Sequence, residues 1–255
     1  MSLPVYILTV DAPDGPRRKN ARKQLEAVGL EAEFVEGLRL NDPAIDAQYD
    51  RLQNLVWQKR SLSAGEIAVY CGHRRIWRRL VESGAPFALV LEDDFGVADS
   101  RAFRTILDDC ADHPDGWDIV KLFDFNPKPV RLRRELGASE LVAHRYPAAG
   151  AVGYLIARAA AERMLSRRRF FRAVDEDWSW PWEFELKIWS LAPSCIEEIS
   201  VDLGGSVRAP ATSTLRRRNS LRAIWANAIQ MWKRVRSHAH LRRMSQRLDP
   251  LRKKA

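Results

Sequence analysis

Apolar positions along the chain fall into two rhythms. Short, continuous apolar runs rich in β-branched residues stand at residues 5–10 and 87–91, and the second ends abruptly in Glu92-Asp93-Asp94. An unbroken apolar run of that length reads as a strand covered on both faces. Residues 33–35, 119–123 and 141–143 read as further strands. Between these runs the period lengthens to that of helices. A helix over 17–28 follows Pro16, which suits a first turn, and stops at Gly29, which suits the position after a C-cap. Ser63-Ala64-Gly65-Glu66 is a capping box, with Ser at the N-cap and Glu three residues on, opening a helix that ends near Ser83-Gly84. Helices are also expected near 100–112 and over 157–165. Residues 39–60 are polar and poorly periodic, a surface loop with short helical pieces, and 124–138 is a loop rich in Pro and Arg. Strands alternating with helices predict an α/β layer fold with a mostly parallel central sheet.

The helix opened by Ser63 has an unusual apolar side. At 100° per residue its arc is made by Val69, Tyr70, Ile76, Trp77, Leu80 and Val81, with Glu66 and His73 in the middle, seven residues apart. A Glu and a His on a buried face must be paired or hydrogen-bonded. Either they serve a site, or Glu66 closes the helix N-terminus and His73 is held structurally.

The chain has 255 residues, 46% of them apolar and 29% charged, which is globular composition. Its net charge of +9 is unevenly spread. Residues 215–255 hold thirteen basic side chains and one acid, for +12, and the other 214 residues hold 29 basic and 32 acidic ones, for −3. The shift predicts a body of 1–214 followed by a basic tail of 215–255. No run nears the roughly 18 apolar residues of a membrane span. The first residues lack a basic segment and a cleavage site, so no signal peptide is expected. Cys71, Cys110 and Cys195 stand far apart, which argues against a disulfide framework or a cysteine zinc site.

Besides the helix opened by Ser63, two further places carry candidate chemistry. Glu92 and Asp94 project to one side if the strand runs through them, and two carboxylates at the C-terminal edge of a sheet can hold a hard divalent cation against phosphates. The other reading is that the three acids, Glu92, Asp93 and Asp94, cap a helix or face solvent. Residues 174–183 put three tryptophans, Trp178, Trp180 and Trp182, beside four acids, Asp175, Glu176, Asp177 and Glu183. Aromatic faces with carboxylates can hold a sugar, and an Asp there can act as a general base; a packed aromatic corner is the alternative. Gly150-Ala151-Val152-Gly153-Tyr154 is glycine-flexible. The chain lacks GxxxxGK[ST], GxGxxG after a strand, GxSxG and HExxH, which removes the commonest nucleotide-hydrolase, oxidoreductase, serine-hydrolase and zincin readings.

Taken in order, these pieces resemble glycosyltransferase family 25, the lipooligosaccharide galactosyltransferase family. The resemblance rests on Tyr6-Ile7-Leu8 with Arg17-Arg18 and Gly29-Leu30, on Leu62-Ser63-Ala64-Gly65-Glu66-Ile67 with His73 and Trp77, and on Ala88-Leu89-Val90-Leu91-Glu92-Asp93-Asp94. It continues through Asp118-Ile119-Val120-Lys121-Leu122, residues 150–156 and Val174-Asp175. Ala68-Val69, Gly72, Ala157 and Ala173 depart from the family pattern. The resemblance implies a GT-A-like nucleotide-sugar transferase fold and inverting transfer of a sugar, usually galactose from UDP-galactose, to a lipopolysaccharide or other envelope glycan. In that picture Glu92, Asp93 and Asp94 hold Mn²⁺ or Mg²⁺. Asp175 is the expected base, with Asp177 second. Arg17, Arg18, Glu66, His73, Lys121, Gly153 and Tyr154 are expected around the donor, and Trp178, Trp180 and Trp182 around the acceptor.

On a helical wheel, residues 220–236 put Leu221, Ile224, Trp225, Ala228, Ile229, Met231, Trp232 and Val235 on one face and Arg222, Asn227, Gln230, Lys233 and Arg234 on the other. That is the pattern of an interfacial helix on an anionic membrane, with Trp225, Trp232, Lys233 and Arg234 as contacts. Joined to the resemblance, which implies an acceptor that is often a lipid-linked glycan, it predicts a peripheral protein on the cytoplasmic face of the membrane, and nucleic acid is not an expected partner. Two alternatives stand beside this: the helix packs on the body, or the whole chain is a non-catalytic sugar-binding or envelope-assembly protein on the same fold. A basic-tailed adaptor for membrane or nucleic acid is a third.

Overall fold

The computed structural model describes residues 3–38, 42–58, 60–204 and 220–252. Among them the elements run β1 (Val5–Thr9), α1 (Pro16–Ala27), β2 (Glu33–Glu36), α2 (Pro43–Gln48), α3 (Arg51–Trp57), α4 (Ala64–Ser83), β3 (Phe87–Glu92) and β4 (Phe95–Val97). They continue with α5 (Ser100–Asp112), β5 (Ile119–Lys121), β6 (Val130–Leu136), β7 (Ser139–His144), β8 (Gly153–Ala157), α6 (Arg158–Ser166), α7 (Val174–Trp178), β9 (Ile188–Leu191), β10 (Ile196–Glu198) and α8 (Ser220–Arg252). The expected division at 214/215 lies outside the described residues.

Eight strands form one sheet in the order β2-β1-β3-β8-β5-β9-β7-β6. β1 is parallel to β2 and β3, and β5 to β9, whereas β8 runs against both β3 and β5, and β7 against β9 and β6. Six strands thus point one way and two the other, a large, mostly parallel mixed sheet. Alternation along β1 and β3 feeds two cores. Tyr6, Leu8, Ala88 and Val90 pack against α4 and α6; Val5, Ile7, Leu89 and Leu91 pack against α1 and α5.

Two segments differ from the sequence reading. Residues 130–136, expected as loop, form β6, an edge strand hairpinned to β7. Its Arg131, Arg133 and Glu135 stand exposed, and charges on an edge strand guard it against further pairing while hiding the strand signal. Gly153, read within a flexible segment, opens β8 at the sheet centre. A Cβ there would collide with Ile196 and Leu91, so the glycine is a close-packing requirement.

The capping box forms as expected. Ser63 Oγ accepts from the Glu66 N–H at 3.2 Å, and the Ser63 N–H donates to Glu66 Oε2 at 2.9 Å. Burial alone would raise the Glu66 carboxyl; the Arg60 guanidinium and the Ser63 donors outweigh it and hold the pKa down to about 2. A carboxyl depressed on folding stabilises fully above its unfolded value and loses that contribution as pH falls through the folded one, here between about 4.5 and 2. Glu66→Gln is expected to cost about 1 kcal/mol near neutral pH. Melting curves should show the gap to wild type closing across that acidic window. A gap independent of pH would remove the charge from the account.

α8 turns Ile229, Lys233, Ser237, His240 and Met244 onto the body, spacings of three and four that make one helical stripe. Lys233, expected on the solvated basic face, is instead buried, donating to Glu176 Oε1 at 3.0 Å and to Ser179 Oγ at 2.5 Å. The wheel sorts residues by polarity, and here the body offers a polar socket to a polar side chain. Ile229 packs with Trp180 and Trp182, while Trp225, Met231, Trp232 and Val235 are exposed. The side chains of Leu221, Arg222 and Ile224 lie outside the described ones. Among the described residues, no helix is long and apolar enough to cross a membrane.

Candidate active site

A cleft of about 690 Å³ opens at the C-terminal end of β3. Glu92 comes from that strand, Glu66 and Val69 from the first turns of α4, and Asp175 and Glu176 from the start of α7; Trp57, Arg60 and Ile229 close it. The edge where strands end is the expected place for a ligand in an open α/β sheet. Arg60 gave no signal in the polar stretch that carries it, and Trp57 lay in the same stretch. Yet Arg60 is the cation facing Glu66, and Trp57 is the aromatic wall.

The acidic triplet separates into three environments. β3 ends at Glu92 and a tight turn carries Asp93 and Asp94 into β4. Asp93 is buried, its Oδ2 accepting from the Thr9 hydroxyl at 2.5 Å and its Oδ1 from Arg17 at 2.8 Å. Both oxygens are engaged, so Asp93 is a poor metal ligand, contrary to expectation. Arg17, in the first turn of α1, also reaches Asp94 Oδ2 at 3.1 Å, so it is held by the carboxylates of the turn after β3 and lies outside the cleft lining. Asp94 Oδ1 is buried and has no hydrogen-bond partner. Burial, then the charge of Glu92, raise the Asp94 carboxyl to about 6 despite Arg17. This is a surplus of negative charge with an unfilled acceptor. It fits a divalent cation held by one or two carboxylates and completed by substrate phosphates. Among the described residues no group of three His, Cys, Asp or Glu could hold a metal alone.

Glu92 is backed by a chain of buried donors. Trp77 Nε1 donates to the Tyr154 hydroxyl at 3.0 Å, that hydroxyl lies 2.9 Å from His73 Nδ1, and His73 Nε2 lies 3.4 Å from Glu92 Oε1. With the imidazole proton on Nε2, every donor finds an acceptor. His73 and Tyr154 are fully buried and act through Glu92, while Gly153 serves packing; the three were expected against the donor. Glu66 does line the cleft, with its carboxylate tied into the cap and Arg60. Arg18 pairs with Glu36 at 3.3 Å and donates to the Asp11 carbonyl at 3.0 Å, outside the lining.

Asp175 reaches the cleft and is held by two backbone donors. Gly150 N–H donates to Oδ2 at 2.9 Å and Glu176 N–H to Oδ1 at 2.9 Å. Gly150 has φ +93°, in the left-handed region that favours glycine, and a Cβ would strike Phe125. The loop is tied down by Lys121, whose ammonium donates to the carbonyls of Ala148 at 2.5 Å and Ala149 at 3.2 Å and pairs with Asp124 at 2.7 Å. Lys121 is therefore a buried anchor for the loop that holds Asp175, where a place around the donor nucleotide was expected; its burial, partly offset by Asp124, lowers the ammonium pKa.

Asp177, the second expected base, is fully buried. It accepts from Tyr70 Oη at 2.6 Å, Arg167 at 2.7 Å and Arg172 at 3.1 Å. α7 points Asp175 outward and Asp177 inward, as residues two apart on a helix must. The three tryptophans are also buried. Trp178 meets Tyr154 edge-on in the core, and Trp180 and Trp182 pack with Trp232 of α8. They form the packed aromatic corner, and no open sugar platform is made by them.

The family described as Glycosyltransferase family 25 (LPS biosynthesis protein) matches residues 4–178. A protein of Aedes aegypti named Glycosyltransferase 25 family member is 29% identical over 184 residues, covering 68% of this chain and 30% of its own. Inactive glycosyltransferase 25 family member 3 of Homo sapiens is 25% identical over 60% of this chain and 27% of its own. Procollagen galactosyltransferase 1 of Danio rerio is 22% identical over 58% and 27%. The chain spans about 30% of the length of these relatives. Among solved structures, A197 from STIV aligns with a TM-score of 0.43 at 14% identity, over 77% of this chain and 84% of that one, a loose likeness.

Proposed function

The chain belongs to glycosyltransferase family 25, and from that premise we propose that it is a metal-dependent, inverting glycosyltransferase on a GT-A-like fold. The expected donor is UDP-galactose and the expected acceptor a hydroxyl of a lipid-linked envelope glycan. The observation that supports this best is the cleft shared by Glu92 and Asp175, with the unpartnered Asp94 Oδ1 in the turn after Glu92, outside the lining itself.

Asp175, fixed by the Gly150 and Glu176 N–H groups, takes the proton of the acceptor hydroxyl. The acceptor oxygen bonds to the anomeric carbon as the bond to the diphosphate breaks, and that electron pair leaves on UDP. Glu92 and Asp94 would hold Mn²⁺ or Mg²⁺, which supplies Lewis-acid neutralisation of charge on the departing diphosphate. Glu92, oriented by His73, and Arg17, between Asp93 and Asp94, fix the geometry of that corner. Trp57 gives the cleft an apolar wall against which a sugar ring can lie.

A non-catalytic sugar-binding role has one observation in its favour: Arg17 already neutralises part of the acidic triplet. Calorimetry of UDP binding, with and without Mn²⁺, on wild type and Asp94→Asn separates the two. Wild type should bind in the presence of metal, and either chelation or Asp94→Asn should weaken binding at least tenfold, about 1.4 kcal/mol. Binding indifferent to metal and to Asp94 would sink the metal assignment. No binding by wild type under any condition would leave the non-catalytic role.

A further inference from the structure

Away from the cleft, the β6–β7 hairpin and α8 enclose a groove of about 400 Å³ lined by Arg131, Arg145, Arg234, His238, Leu241 and Arg242. Four arginines converge there, all exposed, and no Asp or Glu lines the groove. Among the described residues, none of the four is ion-paired with a carboxylate. Like charges gathered this way repel one another, and an anionic ligand relieves them. On α8, Arg234, His238 and Arg242 follow at intervals of four, one ridge of the helix.

Apolar groups border that ridge. Met231 and Val235 are 63% and 64% exposed. His238 and Arg242 stand seven residues beyond Met231 and Val235, so the apolar and the cationic side chains occupy the same stripes of the helix two turns apart. A soluble phosphate would use the arginines and leave the apolar side chains in water. A phospholipid surface uses both: phosphates in the arginine groove, and Met231 and Val235 at the acyl boundary.

We propose that the hairpin–α8 groove is a docking site for anionic phospholipid headgroups. This surface differs from a simple wheel reading of the tail. Lys233 faces the body, and half of the cationic groove comes from Arg131 and Arg145 of the hairpin, far from the tail in sequence. The same helix lends Ile229 and Gln230 to the large cleft, so a bilayer held on its outer side would bring lipid-borne molecules alongside that cleft.

The test is co-sedimentation of the full chain with vesicles of phosphatidylcholine alone and of phosphatidylcholine mixed with phosphatidylglycerol. Wild type should bind only the anionic vesicles, less so at high salt. The double variant Arg131→Glu/Arg145→Glu leaves the α8 sequence unchanged and should bind at least thirtyfold more weakly, about thirtyfold being the loss of two cations alone. Met231→Ser/Val235→Ser should weaken binding with the charges intact. Circular dichroism melts of both variants verify folding. Absence of wild-type binding to anionic vesicles, or equal binding by the hairpin variant, would overturn the proposal. So would displacement from vesicles by inorganic pyrophosphate, which would make the groove a soluble-phosphate site, or by duplex DNA, which would make it a nucleic-acid one. No turnover is read, so this inference and the glycosyl-transfer reading fail separately.

Discussion

Asp175→Asn should lower kcat by about 10²–10⁴-fold while leaving the affinity for UDP with Mn²⁺ unchanged. The asymmetry follows from where the carboxylate sits. Asp175 lines the cleft but receives only backbone N–H groups, from Gly150 and Glu176. An amide is nearly isosteric and keeps one carbonyl oxygen for one of those donors. The lost second bond costs about 1 kcal/mol of stability, too little to unfold a domain of this size. The amide cannot take a proton at neutral pH. Loss of kcat without loss of donor binding is therefore the signature of the base, and loss of both would mark a structural role. If kcat falls less than about threefold, the base lies elsewhere in the cleft, and Glu176 and Glu92 are the carboxylates to change next.

The sequence made the framework of this site legible and its interior only partly so. The strand before Glu92 was visible because burial on both faces demands an unbroken apolar run. The α4 N-terminus was visible because a capping box is local chemistry, complete within four residues. His73 was rightly flagged as a polar group on a buried face, but its partner Tyr154 is 81 residues away, a distance no local pattern spans. The same limit hid Lys121, whose position at a strand end suggested a ligand; its partners are carbonyls 27 and 28 residues on. The tryptophan cluster was misassigned because composition cannot tell an aromatic wall from an aromatic core. What decided it was α8, which returns from the far end of the chain to pack Ile229 and Trp232 against Trp180 and Trp182. β6 and β8 were hidden for opposite reasons, one by the charges that protect an edge, the other by a glycine that close packing requires.

Arg172→Met is expected to be the most destabilising single change, by about 3–5 kcal/mol. Arg172 is 1% exposed, and it donates to Asp177 Oδ1 at 3.1 Å and to Glu183 at 2.7 and 3.0 Å. Its guanidinium also lies 4.0 Å from the ring centre of Trp180 and 4.4 Å from that of Phe171. Burial would raise the Glu183 carboxyl, but Arg172 and then Arg167 hold it below its usual range. Methionine fills much of the volume and supplies none of the charge. Asp177, fully buried, would then share Arg167 with Glu183. In a domain of this size the loss corresponds to a fall in Tm of roughly 10 °C. Arg131→Ala, which removes the same charge from the exposed hairpin, should shift Tm by only about 1 °C. Because the folded carboxyl is depressed, the stability the network lends is present at neutral pH and lost as pH falls below the ordinary carboxylate range. The gap between wild type and Arg172→Met should therefore narrow in acid. The network also has a reach beyond stability. Asp177 and Asp175 belong to the same short helix, so what anchors Asp177 inward holds Asp175 outward. Turnover by Arg172→Met should fall with temperature before the protein melts, while that of Arg131→Ala follows wild type. If Arg172→Met instead melts with wild type, α7 is held by the packing of Trp178, and the placement of Asp175 must be credited to the Gly150 loop.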